Sequence, residues 1–279
     1  MLVNKEIMKR QELISNIFKK QSFLCVGLDP ILDLFPPHIL QHDDSIFEFN
    51  KQIIDATLPY AVAYKPNTAF YEAHGIKGWE ALEKTIRYIP KECFIIADAK
   101  RGDIGNTSKA YAKTFFETMS CDAITVAPYM GKDSVVPFLE FENKWAIVLA
   151  LTSNEGANDF QSKTDEFGIP LYKKVISTVK EWGSCNNLMF VAGATRAHQL
   201  REIRELIPNH FLLVPGVGAQ GGELSEVIDA AATLECGLLV NASRSIIYAS
   251  NGEDFAAAAK NEALKIKTEM QSYFQRLKT

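Results

Sequence analysis

The chain has 279 residues, with 30 Lys plus Arg against 34 Asp plus Glu and a formal charge of −4. Apolar residues make up 47% and charged residues 23%, which excludes a disordered chain, a collagen and a coiled-coil array. The mild acidity, with no Lys/Arg block, no paired-cysteine zinc pattern and no basic-aromatic stripe, argues against nucleic acid as a partner.

The length fits two average domains or one large barrel. The first twenty residues, MLVNKEIMKRQELISNIFKK, are charged throughout and lack the apolar core of a secretory signal. They are read as a helix with Ile7, Leu13, Ile14, Ile17 and Phe18 on one side. Eight short apolar runs follow: FLCVGL (23–28), AVAYK (61–65), CFIIADAK (93–100), AITVA (123–127), AIVLAL (146–151), MFVAG (189–193), FLLVPG (211–216) and GLLVNA (237–242). Most are continuous rather than alternating, as expected of parallel strands covered on both faces.

Helical patterns lie between the runs. GWEALEKTIRYI (78–89) repeats apolar residues at Trp79, Leu82, Ile86 and Ile89. Further helices are expected from Asn106 to Met119, over 196–207 and over 221–235. The tail 253–274 is rich in strong helix formers and is expected to cover the barrel wall. SIFEFN (45–50) and the six methionines are read as packing residues, while Phe115 and Phe116 are expected at an interface.

Successive runs start 22 to 43 residues apart, room for one helix and two connections in each right-handed βαβ unit. Eight such units imply an α/β fold, a (β/α)8 TIM barrel, as a single domain over 1–279 with flanking amino- and carboxyl-terminal helices. The alternative is an open doubly wound sheet, but its glycine-rich turn is missing after the first run, where GLDP stands. No apolar run reaches the ~18 residues of a membrane span. The five cysteines, none at CxxC spacing, suit a reducing cytosol and are read as buried small residues. The five histidines show no HExxH spacing and are read as surface or loop residues.

Two long connections, 29–45 and 152–169, follow carboxyl ends of strands, the catalytic face of a barrel. Each is a candidate lid or, equally, a tolerated insertion.

The sharpest feature is ADAKRGDIGNTSKAYA (97–112). Asp98 and Lys100, i and i+2 on a strand, are expected to point to one side. Asp103 and Thr107 fall in the following loop and first helical turn. Asp29 closes the first run and Lys65 the second, so five charges of alternating sign would ring one pocket. An ammonium flanked by carboxylates stays protonated, which makes Lys100 an acid held ready rather than a Schiff-base amine. A ligand carboxylate pressed against Asp98 would be repelled, and its loss as carbon dioxide would relieve the repulsion. The alternative is a structural ion-pair network. After the seventh run, VPGVGAQGG (214–222) offers Gly216 and Gly218, and after the eighth, VNASRSI (240–246) offers Ser243 and Arg244. Loops at these places often bind phosphate through backbone N–H groups, with a guanidinium fork adding charge. For the glycines alone, turn geometry is the competing explanation.

With GLDP, AYKPN, ADAKRGD and ASRSI in place, the chain resembles the orotidine 5′-phosphate decarboxylase family over nearly its whole length. The spacing is similar to the bacterial subgroup with longer loops, type 2. The resemblance implies a (β/α)8 barrel working as a cytoplasmic homodimer, without metal or organic cofactor, on a small nucleotide. It implies decarboxylation of orotidine 5′-phosphate to UMP, the last step of de novo pyrimidine synthesis. Asp98 matches the carboxylate beside the substrate carboxylate and Lys100 the proton donor to C6. Lys65 and Asp29 match the pair at the ribose, and Asp103 and Thr107 resemble residues supplied by the other subunit. Gln220 matches the side chain linking base and phosphate, and Arg244 the phosphate arginine. Ser153, or else Thr152, would meet the pyrimidine amide edge. Two rivals remain: a magnesium-dependent sugar-phosphate decarboxylase, which shares the Asp-x-Lys-x-x-Asp pattern, and a non-catalytic nucleotide-binding barrel.

Overall fold

The eight apolar runs become eight strands, because each is sealed between the barrel interior and a helical coat. In the computed structural model, which describes residues 8–193, 197–216 and 223–277, they are β1 (Leu24–Leu28), β2 (Ala61–Pro66), β3 (Phe94–Arg101), β4 (Ala123–Val126), β5 (Trp145–Leu151), β6 (Leu188–Ala192), β7 (Phe211–Pro215) and β8 (Leu238–Ala242). Each strand pairs in parallel with the next, and β8 returns to β1 through Leu24 opposite Val240 and Val26 opposite Ala242. Closure leaves no sheet edge and rules out the open doubly wound alternative.

The helices are α1 (Arg10–Lys20), α2 (Ser45–Thr57), α3 (Ala69–Glu72), α4 (Gly75–Tyr88), α5 (Gly105–Lys113), α6 (Lys132–Leu139), α7 (Leu171–Val179), α8 (Ala197–Leu206), α9 (Leu224–Ala231), α10 (Arg244–Ile247) and α11 (Phe255–Arg276). The spacing of Ile46, Phe49, Ile53 and Ile54 turns one face of α2 inward, as helical periodicity requires. Asp44 caps that helix by accepting a 3.1 Å hydrogen bond from Phe47 N. Helix α11 buries Phe255, Ala259, Ala263, Met270, Tyr273 and Phe274 over the barrel wall, as its composition suggested. None of the described helices is long and apolar enough to cross a membrane.

Three local expectations are corrected. In α1, Leu13, Ile14 and Ile17 are buried, but Phe18 is 38% exposed and packs edge-on with the Phe274 ring; Ile7 lies outside the described residues. The helix expected from Asn106 to Met119 passes at Thr114 into a π-helical turn, Thr114–Thr118. Phe115 and Phe116 are buried inside the protomer, with Phe116 edge-on to Phe138. They are core residues rather than interface residues. His210 is a loop residue as expected, in the bend just before β7, but both its ring nitrogens are buried and unpartnered among the described residues, edge-on to Phe190. Burial, then the neighbouring Arg10, Arg204 and Lys180 charges, push its pKa down to about 4.

The cysteines are all free; four are buried and Cys185 is half-buried. Segment 29–45 is partly packed: it folds into two 3-10 turns, Leu32–Leu34 and Ile39–Gln41, and buries Phe35 and Ile39 while Leu34 and Leu40 stay exposed.

Candidate active site

The charged side chains meet at the carboxyl end of the barrel. A cavity of about 200 Å³ opens there, lined among others by Asp29, Lys65, Asn67, Asp98, Ser243 and Arg244. Pro215 and Gly216 at the end of β7 and Asn241 in β8 complete its far wall.

Asp98 is the centre. Its Oδ2 accepts from Lys65 Nζ at 2.7 Å, and its Oδ1 accepts from Lys100 Nζ at 2.6 Å. Asp98 and Lys65 are both buried, whereas the Lys100 side chain is 49% exposed. Burial alone would raise the Asp98 pKa. The Lys65 and Lys100 charges outweigh that penalty and hold the carboxyl well below its usual range. Burial likewise works against the Lys65 ammonium, but Asp98 and Asp29 more than compensate, so its pKa rises. Both groups are therefore ionised at neutral pH. The Cys25 thiol nearby is pushed up to about 12 by burial and remains neutral.

The meeting of Asp98 and Lys100 does not come from simple strand alternation. Lys100 has φ +46°, in the left-handed region, and the ladder between β3 and β4 shifts register between Ala97 and Arg101. The strand bulges there, and the bulge aims the ammonium back at Asp98.

Asp29 follows β1. Its Oδ2 accepts a 2.5 Å hydrogen bond from Ser243 Oγ, while its Oδ1 is buried with no partner among the described residues. Asn241 Oδ1 is in the same state. Such orphan acceptors on a cavity wall are unusual in a folded protein and mark places for a ligand donor. Gly27 is required for the close approach of β1 to the end of β8, because a Cβ there would lie 2.7 Å from Ser243 Cβ. Tyr248 braces the same corner: its hydroxyl donates to Asp29 O at 2.8 Å and accepts from Ile31 N at 2.6 Å.

Arg244 opens the short α10, is exposed, and makes no side-chain hydrogen bond or ion pair among the described residues. Gly216, with φ +87°, ends β7 in a conformation that suits glycine. Gly218 and Gln220 lie outside the described residues.

In the loop after β5, Thr152 is occupied. Its hydroxyl donates to Asn154 Oδ1 at 2.5 Å and accepts from Gln161 Nε2 at 2.9 Å. The Ser153 hydroxyl makes no hydrogen bond among the described residues. Asp103 and Thr107 are not among the residues lining the cavity of their own protomer. Of the five charges expected to ring one pocket, Asp29, Lys65 and Asp98 line the cavity, Lys100 joins them through its bond to Asp98, and Asp103 instead accepts from Ile104 N through Oδ1. Among the described residues, no cluster of three or more His, Cys, Asp or Glu side chains is placed to hold a metal ion.

Thr125, Asn241, Tyr248 and Gln161 were not singled out from sequence. Thr125 did carry a signal, as the one Ser or Thr inside the eight apolar runs. Asn67 belongs to AYKPN, and its backbone bridges to Asp98.

A closed parallel barrel with an ion-paired acid-base cluster at its carboxyl end is a TIM-barrel enzyme. The model of the orotidine 5′-phosphate decarboxylase / HUMPS family matches residues 22–260, and the chain belongs to that family. Orotidine 5′-phosphate decarboxylase of Flavobacterium johnsoniae is 60% identical over 266 residues, covering 94% of this chain and 97% of the relative. The structure of Leishmania donovani OMP decarboxylase superposes with TM-score 0.81 at 36% identity, covering 95% of this chain and 99% of that one. Leishmania donovani UMP synthase matches with TM-score 0.81 at 38% identity, but there the chain covers 94% of itself and spans only 57% of the longer protein.

Proposed function

We propose that this chain decarboxylates orotidine 5′-phosphate to UMP and carbon dioxide, the final step of de novo pyrimidine synthesis, as a single-domain barrel. The observation that carries the reading is the Asp98 carboxylate on the cavity wall, held between the buried Lys65 and the half-exposed Lys100 ammonium. The substrate carboxylate on C6 would lie against Asp98 and be repelled by it. The C6–carboxylate bond breaks, its electron pair stays on C6, and carbon dioxide leaves. Lys100 Nζ then gives a proton to C6 and later regains one from solvent. Because the ammonium is present before charge develops, it stabilises the carbanion more than the ground state.

Asp29 and Lys65 would hold the ribose hydroxyls, the unpartnered Asp29 Oδ1 accepting from one of them. Arg244, with Gly216 and with Gly218 and Gln220, would hold the phosphate. Ser243 would keep Asp29 aligned, and Ser153, free where Thr152 is engaged, would meet the pyrimidine amide edge. Phosphate binding far from the reacting carbon can then be used to close loops and align the cluster.

The working form is proposed to be a homodimer in which Asp103 and Thr107 enter the partner's cavity. Supporting it is an apolar surface beside them: Ile104, Tyr129 and Met130 are 54%, 92% and 51% exposed on the adjacent loops after β3 and β4. Placement in the cytoplasm rests on the five free thiols.

The test is to mix orotidine 5′-phosphate with purified, chelator-treated protein and follow loss of the orotate absorbance together with carbon dioxide release. Turnover in the presence of chelator supports the proposal. Turnover that requires added magnesium, or UMP binding without carbon dioxide release, overturns it in favour of one of the two rivals.

A further inference from the structure

The register shift in β3 leaves a backbone donor that the ladder does not satisfy. Between Ala97, paired with Ile124, and Arg101, paired with Val126, four steps along β3 face two along β4. Thr125 is the β4 residue opposite the bulge, and it is 1% exposed. Its Oγ1 accepts from Lys100 N at 2.9 Å and stands within 3.0 Å of Asp98 Oδ1.

A hydroxyl has one proton. Since Asp98 is an ionised acceptor, that proton points at Asp98 Oδ1, and an oxygen lone pair takes the Lys100 N–H. One hydroxyl thus serves both ends of the bulge: it replaces the missing ladder partner where Lys100 is held at φ +46°, and it fixes the rotation of the carboxylate. With Thr125 in place, Asp98 Oδ1 takes two donors and Oδ2 one.

We propose that Thr125 is a positioning residue for decarboxylation, which sets the Asp98 carboxylate and the Lys100 backbone in the geometry needed at C6. The inference rests on the proposed reaction. Thr125 is 1% exposed with its hydroxyl taken up by Lys100 N and Asp98 Oδ1, so it acts through Asp98 and Lys100 rather than on substrate. Its removal should therefore reduce turnover and spare nucleotide binding, which depends on Arg244, Asp29 and the ribose contacts.

The variants are Thr125→Val, which keeps the β-branched shape and loses the hydroxyl, and Thr125→Ser, which keeps the hydroxyl. Steady-state kinetics with orotidine 5′-phosphate and calorimetric UMP affinity are measured for both beside the unaltered chain. In Thr125→Val, kcat is expected to fall about 10- to 100-fold, the loss typical of one hydrogen bond to a charged group. KM and the UMP Kd should stay within about threefold, and Thr125→Ser should recover most of kcat, because the hydroxyl carries the effect. Unchanged kcat in Thr125→Val overturns the proposal. So does a Thr125→Ser variant as impaired as Thr125→Val, or a parallel loss of kcat, KM and UMP affinity, which would mark a merely structural role. If the valine chain does not fold, Thr125→Cys, of similar size and a weak donor, replaces it in the same comparison. Failure of the unaltered chain to release carbon dioxide would instead count against the reaction.

Discussion

Ser243 Oγ and Asp29 Oδ2 are joined by a 2.5 Å hydrogen bond that ties the end of β8 to the end of β1. It brings the Arg244 corner, where phosphate would bind, next to a carboxylate with one oxygen still unpartnered. The contact is possible only because Gly27 leaves room for it.

Gly27→Ala should therefore loosen this corner. The added Cβ would meet the root of Ser243 at 2.7 Å, so backbone rather than a flexible side-chain tip must yield. The strain expected is about 1–3 kcal/mol, the usual range for overpacking. A lower midpoint in thermal melts should accompany a raised KM for orotidine 5′-phosphate. An alanine variant with both values unchanged would show that the β1–β8 contact does not position Asp29.

Lys100 and Arg244 should separate chemistry from capture. Lys100→Ala removes the proposed proton donor but leaves Asp98 paired with Lys65, so UMP binding should stay measurable while turnover disappears. Arg244→Ala leaves the charged cluster intact and should mainly weaken productive capture of the phosphate-bearing substrate. Stopped-flow turnover with calorimetric UMP binding checks both. Near-normal turnover in Lys100→Ala would remove the proton-donor role, and unaltered kinetics in Arg244→Ala would remove the phosphate assignment.

A shared site makes a prediction that a self-contained site does not. If the proposed dimer shares its sites, Asp103→Ala and Lys100→Ala damage different halves of each, so each altered dimer should be impaired. Mixed and allowed to exchange subunits, they should form hybrids in which one of the two sites has an intact Lys100 and an intact partner Asp103. Recovery of activity over time after mixing is the expected result. Absence of recovery, with exchange verified by mass labels, would place Asp103 in its own protomer's site.

The barrel was legible because continuous apolar runs at helix-sized intervals have few other folded solutions. Asp29, Lys65 and Asp98 were legible for a related reason: a charge that closes an apolar strand has to emerge at the strand's end. What alternation could not supply was the conformation of Lys100, since the bulge shows only in the register between β3 and β4. Thr125 matters because it lies opposite that bulge, a relation between strands rather than a local pattern. Phe115 and Phe116 misled because their neighbourhood suggested an interface, whereas the π-helical turn rotates both into the core.

His210 gives the last prediction, at the opposite end of the barrel from the chemistry. Its ring nitrogens are buried without partners among the described residues, and burial together with Arg10, Arg204 and Lys180 depresses its pKa from 6.5 to about 4. Unfolding restores the ordinary value, so between these two pKa values the unfolded chain binds more protons than the folded one. Stability therefore rises with pH through that window and is lost as pH falls from 6.5 toward 4. Allowing for partial solvent screening, the cost at the acid end is about 2 kcal/mol. His210→Phe keeps a ring against Phe190 and removes the titration. Urea melts from pH 4 to 7 should show a steeper fall in stability for the unaltered chain than for His210→Phe. The two curves should converge near neutrality, where the histidine is uncharged in both states. Parallel curves across the range would mean that His210 is protonated in the folded protein as readily as in the unfolded one.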